Sequence, residues 1–223
     1  MTDQTDSSYT GQVTPGGPAD HRHLGAATLA KLSVGPMDNN AYLLRCARTG
    51  RGVLVDAANE ADRLLELIGD GGIDLIITTH RHGDHWQALR EVAAATGART
   101  VAHPLDAPEL PVAPDILVEH GDEVTAGDLT LSVIHLRGHT PGSIALRYDG
   151  PERTHLFTGD SLFPGGPGNT RGNPDDFKSL MTDLEQRVFA ALDDDTWIYP
   201  GHGNDTTLGA ERPSLPDWRV RGW

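Results

Sequence analysis

The densest chemistry in this 223-residue chain lies in one stretch, Thr79-His80-Arg81-His82-Gly83-Asp84-His85. Three imidazoles and a carboxylate follow directly on an apolar run. Crowded imidazoles disfavour one another's protonation, and a divalent ion is the natural partner of the neutral rings. His80 and His82, two apart in an extended loop, can point at one ion. Asp84 and His85, at the start of the next element, can face another. Three further positions fit the same chemistry, each just after a strand-like segment. Gly138-His139-Thr140-Pro141-Gly142 sets a histidine in a Gly/Pro turn, where backbone can pass close to an ion. Thr158-Gly159-Asp160-Ser161 adds a carboxylate, and Pro200-Gly201-His202-Gly203 adds a last histidine. Together they predict a metal centre. His103, His120, His135 and His155 are read as structural, and His21 and His23 fall in a polar N-terminal stretch.

Those positions need strands that end along one edge. Segments 28–34, 41–46 and 52–56 read as strands between Gly, Pro and Asn turns. Asn59 is expected to cap a helix running to about Gly69, with Ala61, Leu64, Leu65 and Ile68 at helical spacing. The short apolar run 74–78 suits a strand covered on both faces, and a helix over 84–96 should end at Gly97. Strands at 129–136, 143–148, 154–158 and 196–199 follow. An amphipathic helix at 174–192 carries Phe177, Leu180, Met181, Leu184, Val188, Phe189 and Leu192 on one face. This order predicts two packed sheets with helices outside, one domain over 25–223 behind a flexible tail over 1–24.

Composition narrows the partners. The formal net charge of −14 makes nucleic acid a poor partner, and it steers no anionic metabolite unless a local basic patch offsets it. The single cysteine, Cys46, excludes an intrachain disulfide and reads as a buried, inert thiol. No apolar run approaches the roughly 20 residues of a membrane span, and 1–24 has no apolar leader, so the cytoplasm is the expected compartment. Of 18 basic residues 16 are Arg, a bias that points to a high-GC genome.

Five blocks in order, Asp56, His80 to His85, His139, Asp160 and His202, resemble the metallo-β-lactamase superfamily, and within it the short glyoxalase II-like hydrolases. The resemblance runs over about 28–212. It implies an α/β fold, an αββα sandwich of two mixed sheets flanked by helices. It further implies one ion on His80, His82 and His139, a second on Asp84, His85 and His202, and Asp160 bridging both, with Asp56 orienting the histidine loop. Two such ions, roughly 3.5–4 Å apart, can share a hydroxide that attacks an acyl carbon. Nitrogen and carboxylate donors suit zinc, with iron or manganese also fitting. The implied reaction is thioester hydrolysis of a small-thiol acyl conjugate. Two departures bear on the thiol. Little chain follows His202, where full-length glyoxalase II carries a helical domain, and Gly165-Gly166-Pro167-Gly168-Asn169 replaces a Gly-Gly-x-Gly-Arg type loop. They weigh against glutathione as the thiol, and with the Arg bias they add mycothiol as a candidate replacement. A lactonase, or a persulfide dioxygenase with one iron on His80, His139 and Asp160, stands as the alternative. Trp86, 36–40 and 163–172 are the expected places for substrate contacts. The acyl group and oligomeric state stay open.

Overall fold

A computed structural model describes residues 9–222 and gathers the apolar runs into two sheets. In the first, β1 (Asp20–His23), β2 (Ala27–Val34), β3 (Asn39–Cys46) and β4 (Gly52–Val55) pair antiparallel. Then β5 (Leu75–Ile77), β6 (Arg99–Ala102) and β7 (Ile116–Leu117) continue it in parallel. The second sheet begins with β8 (Glu123–Ala126), β9 (Leu129–His135), β10 (Ile144–Asp149) and β11 (Thr154–Gly159), all antiparallel. A small hairpin, β12 (Leu162–Phe163) with β13 (Gly166–Pro167), stands apart. Strand β14 (Trp197–Pro200) joins β11 in parallel, and β15 (Thr206–Thr207) closes that edge. The αββα arrangement expected from the resemblance is the one observed.

Side-chain alternation explains the layering. Along β3, Tyr42, Leu44 and Cys46 enter the core between the sheets, whereas Ala41 and Leu43 face the helices outside. Those helices are α1 (Ala61–Ile68) and α2 (Leu89–Thr96), whose Leu64, Ile68, Leu89 and Val92 cover the first sheet. On the other side α3 (Pro174–Asp183) continues through a π-type stretch, Leu184–Phe189, and buries Phe177, Leu180, Met181, Leu184, Val188, Phe189 and Leu192 against the second sheet. Two short helices, α4 (Leu208–Glu211) and α5 (Leu215–Arg221), finish the chain. None of the described helices is long and apolar enough to cross a membrane.

Three expectations are corrected. The tail predicted over 1–24 is not a tail from residue 9 onward, while 1–8 lie outside the described residues. Besides β1, Tyr9 donates to Asp205 Oδ2 at 2.7 Å and packs edge-on against Trp197. Lys31, fully buried, shares in that docking: its three donors meet Gly11 O, Gly203 O and Asp205 Oδ1 at 2.6–2.7 Å. Composition concealed this, because polar bonds to a buried cation hold the segment. Second, no helix spans 84–96. A single 3-10 turn, Gly83–His85, is followed by a break, since Gln87 and Ala88 donate their N–H groups to Ala58 and Ala57 instead of along a helix. Third, Asn59 does not cap α1; Glu60 takes the N-cap position in a left-handed conformation.

Candidate metal centre

The chemistry-bearing side chains sit where strands of both sheets end. His80 to His85 follow β5, His139 lies in the turn between β9 and β10, Asp160 follows β11 and His202 follows β14. Backbone bonds stitch these ends across the sandwich: Ile144 N–H donates to Thr79 O at 2.9 Å, and Asn40 N–H to Gly201 O at 2.7 Å. At the Pro200-Gly201-His202 turn only glycine fits, because a Cβ on residue 201 would collide with Asp160 Oδ1 and come within 2.7 Å of His85 Cε1.

All seven side chains singled out by spacing converge. Three trios, His80–His82–His139, His80–His85–Asp160 and Asp84–His85–His202, each have one donor atom apiece within 4.8 Å of one another and could hold a metal ion. The outward ring nitrogens are tied to acceptors, which fixes which nitrogen faces the centre. His139 Nδ1 donates to Asn169 O at 2.8 Å, His202 Nδ1 to Met37 O at 2.9 Å and His85 Nδ1 to Asp56 Oδ2 at 2.8 Å. His80 Nδ1 reaches the Thr79 hydroxyl at 3.1 Å, and that hydroxyl donates to Asp56 Oδ2. Each of these four rings therefore turns Nε2 inward. His82 is reversed: Arg171 Nη2 donates to its Nε2 at 2.9 Å, and its Nδ1 lies 2.8 Å from His139 Nε2.

Two buried atoms in the middle have no hydrogen-bond partner among the described residues, His80 Nε2 and Asp160 Oδ1. His85 Nε2 lies 3.4 Å from the latter, as an ion-pair contact. Buried polar atoms are rarely left this way, and a cation would satisfy both. The donor set, imidazole nitrogens and carboxylates arranged around unpaired atoms, fits a divalent ion.

Electrostatics divides the site. Burial and the neighbouring rings hold His80 well below its ordinary pKa; burial, His139 and Arg171 hold His82 at about 4; burial lowers His139. These three are neutral and ready to bind a cation. His85 is buried too, yet Asp56 and Asp160 outweigh that penalty and raise it to about 10, and Asp160 likewise raises His202. On the carboxylate side, burial is outweighed for Asp160 by His202 and His85, and for Asp84 by the Asn39 amide and His85, so both lie below the usual range. A metal entering the Asp84–His85–His202 side must displace protons, the usual exchange at such ligands.

Asp56 stands just past β4 with φ of 58°, a costly conformation for a non-glycine residue. That turn aims its carboxylate at Thr79 N–H, the Thr79 hydroxyl and His85 Nδ1, all at 2.8 Å. Asn39 escaped the sequence reading although the loop holding it did not: its amide donates to Asp84 Oδ2 at 2.9 Å, and its backbone bridges His202. Arg171 was also missed. It lines a cavity of about 440 Å³ with Met37, His82, Asp84, Asn169 and His202, and among the described residues it is the one Arg or Lys on that wall. Trp86 does not line it; its indole donates to Arg81 O and packs under the loop.

Comparison with known proteins agrees with this geometry. The family model described as metallo-beta-lactamase superfamily matches residues 34–202. A hydroxyacylglutathione hydrolase from Fuscovulum blasticum is 41% identical over 167 residues, 74% of this chain and 62% of that protein. The chain thus spans less than two thirds of that curated relative. Among solved structures, ETHE1 from Myxococcus xanthus superposes with a TM-score of 0.75 at 28% identity, covering 86% of this chain and 84% of the other. The protein TTHA1623, solved in a di-iron-bound form, gives 0.68 at 29% identity, covering 84% and 98%.

Proposed function

This chain belongs to the metallo-beta-lactamase superfamily, and from that premise we propose that it is a metal-dependent hydrolase that cleaves the thioester of a small-thiol acyl conjugate. The observation that carries the reading is the ring of inward nitrogens around unpaired His80 Nε2 and Asp160 Oδ1; the likeness to a hydroxyacylglutathione hydrolase supplies the substrate class.

His80, His82 and His139 would hold one divalent ion, Asp84, His85 and His202 a second, with Asp160 between them. When bound, such ions lower the pKa of water and polarise an acyl carbonyl. Zinc is the first choice, and iron or manganese suits the same donors; the di-iron form of TTHA1623 supports iron as the alternative. The protein's own part is positioning. Asn39 fixes Asp84 Oδ2, Asp56 fixes His85, and both Asp84 and Asp160 stay ionised to orient an attacking water. Arg171, at the cavity wall, receives an anionic arm of the substrate and supplies the local positive charge that the −14 surface lacks.

The test is thiol release by metal-loaded protein from S-lactoyl glutathione and S-lactoyl mycothiol, with His82→Ala as the blank. Release by the wild type alone supports the reading, and the preferred thiol identifies the conjugate. A second reading, in which His80, His139 and Asp160 would hold one iron that supports oxidation of a persulfide by dioxygen, draws on the 3.9 and 3.5 Å approaches of those two histidines to Asp160 Oδ2. Oxygen uptake with a persulfide, and silence on both thioesters, would replace the first reading with the second.

A further inference from the structure

Asp106 belongs to none of the trios, yet its carboxylate is 1% exposed and lies between two ligand-bearing loops. It follows β6, at the N-cap of a 3-10 turn, Ala107–Glu109. Oδ1 accepts from Gly142 N–H at 2.8 Å; Oδ2 accepts from Arg81 N–H at 3.0 Å and from the Thr140 hydroxyl at 2.5 Å. Arg81 stands between His80 and His82, while Thr140 and Gly142 follow His139. One side chain is therefore the shared acceptor for the loop of the first sheet and the turn of the second.

All three neighbours are donors. With its hydroxyl proton committed to Asp106, Thr140 receives the Ser143 hydroxyl at 2.7 Å, so the turn is braced from both sides. A carboxylate can accept all three bonds; an amide of the same shape must turn an NH2 toward a donor. The turn is moulded on this side chain, since a Cβ on Gly142 would come within 2.7 Å of Asp106 Cγ. Arg81 Nε, 4.0 Å from Oδ1, balances the buried charge. The Asp84–His85–His202 trio receives no bond from Asp106 and is braced by Asp56 and Asn39 instead.

We propose that Asp106 is the positioning residue of the His80–His82–His139 trio and sets ion affinity on that side alone. The inference rests on the metal-centre reading above. Its test is chelator competition on the full chain loaded with zinc, and cobalt(II) absorption spectra of the same variants. Wild type should take up two ions. Asp106→Asn should hold one as tightly as wild type and the other about 10–100-fold more weakly. The cobalt spectrum of its retained ion should match that of His82→Ala and differ from that of Asp84→Ala. Thr140→Val, which removes one donor and leaves Asp106 in place, should show the same one-sided loss in smaller measure, and it carries the test should Asp106→Asn fail to fold. Equal weakening of both ions, or two tight ions in both variants, overturns the assignment. A wild type that takes up no ion at all sinks the metal-centre reading itself, and this inference with it.

Discussion

Arg171 is the residue where substrate choice is most exposed to test. The guanidinium contacts His82 and lines the cavity without belonging to any trio. Arg171→Ala should raise KM about tenfold or more for conjugates with a carboxylate-bearing thiol, corresponding to one charged hydrogen bond, with kcat changed little. An equal fall in kcat with KM unchanged would show that Arg171 acts on the reaction and not on recognition. His155 offers a different test, of stability. Burial, with Arg22 and Arg153 nearby, lowers it to about 3, and its Nδ1 accepts from the Tyr199 hydroxyl at 3.0 Å. In the unfolded chain the ring takes up a proton below about pH 6.5. Between these values the unfolded state holds more protons, so the contribution is complete above about pH 6.5 and is lost as pH falls toward 3. The slope is at most about 1.4 kcal/mol per pH unit. Urea midpoints at pH 7 and pH 4 should therefore separate further for wild type than for His155→Gln, and equal separations would refute the assignment.

At the scale of elements, the site depends on how strands end. Gly201→Ala should preserve the sheets yet displace Asp160 or His85, so circular dichroism should stay native while bound metal falls by at least half; full occupancy would mean that the β14 turn has room to shift. Much of this framework was legible. Eight strand segments showed themselves by alternation or short apolar runs, and the His-rich loop showed itself by residue type alone. The break between Gly83–His85 and α2 did not, because Ala57 and Ala58, distant in sequence, take up the N–H groups that a helix would have used. Asn39 and Asp106 were silent for a related reason. An amide or carboxylate that braces another loop has no periodic signature, and its partners lie 45 and 25–36 positions away.

Taken as a whole, the molecule places its polar centre at a seam. Each of the two outer trios draws two members from the loop after β5 and one from the second sheet, so a bound ion links the sheets as well as the residues. Stripping the metal should lower the melting temperature. Restoring free zinc to about 100 times its Kd should recover about 2.7 kcal/mol of stability per site, read as a melting point that climbs with the logarithm of free zinc. A melting point indifferent to zinc would mean that the seam is closed by the protein alone. The same layout has a modular consequence. If the chain were divided between β7 and β8, the first fragment would keep His80, His82, Asp84 and His85 and the second His139, Asp160 and His202, and neither would own a complete outer trio. Metal retention would then act as a readout of reassembly: two fragments passed together over a desalting column should carry zinc through it, and either one alone should arrive bare.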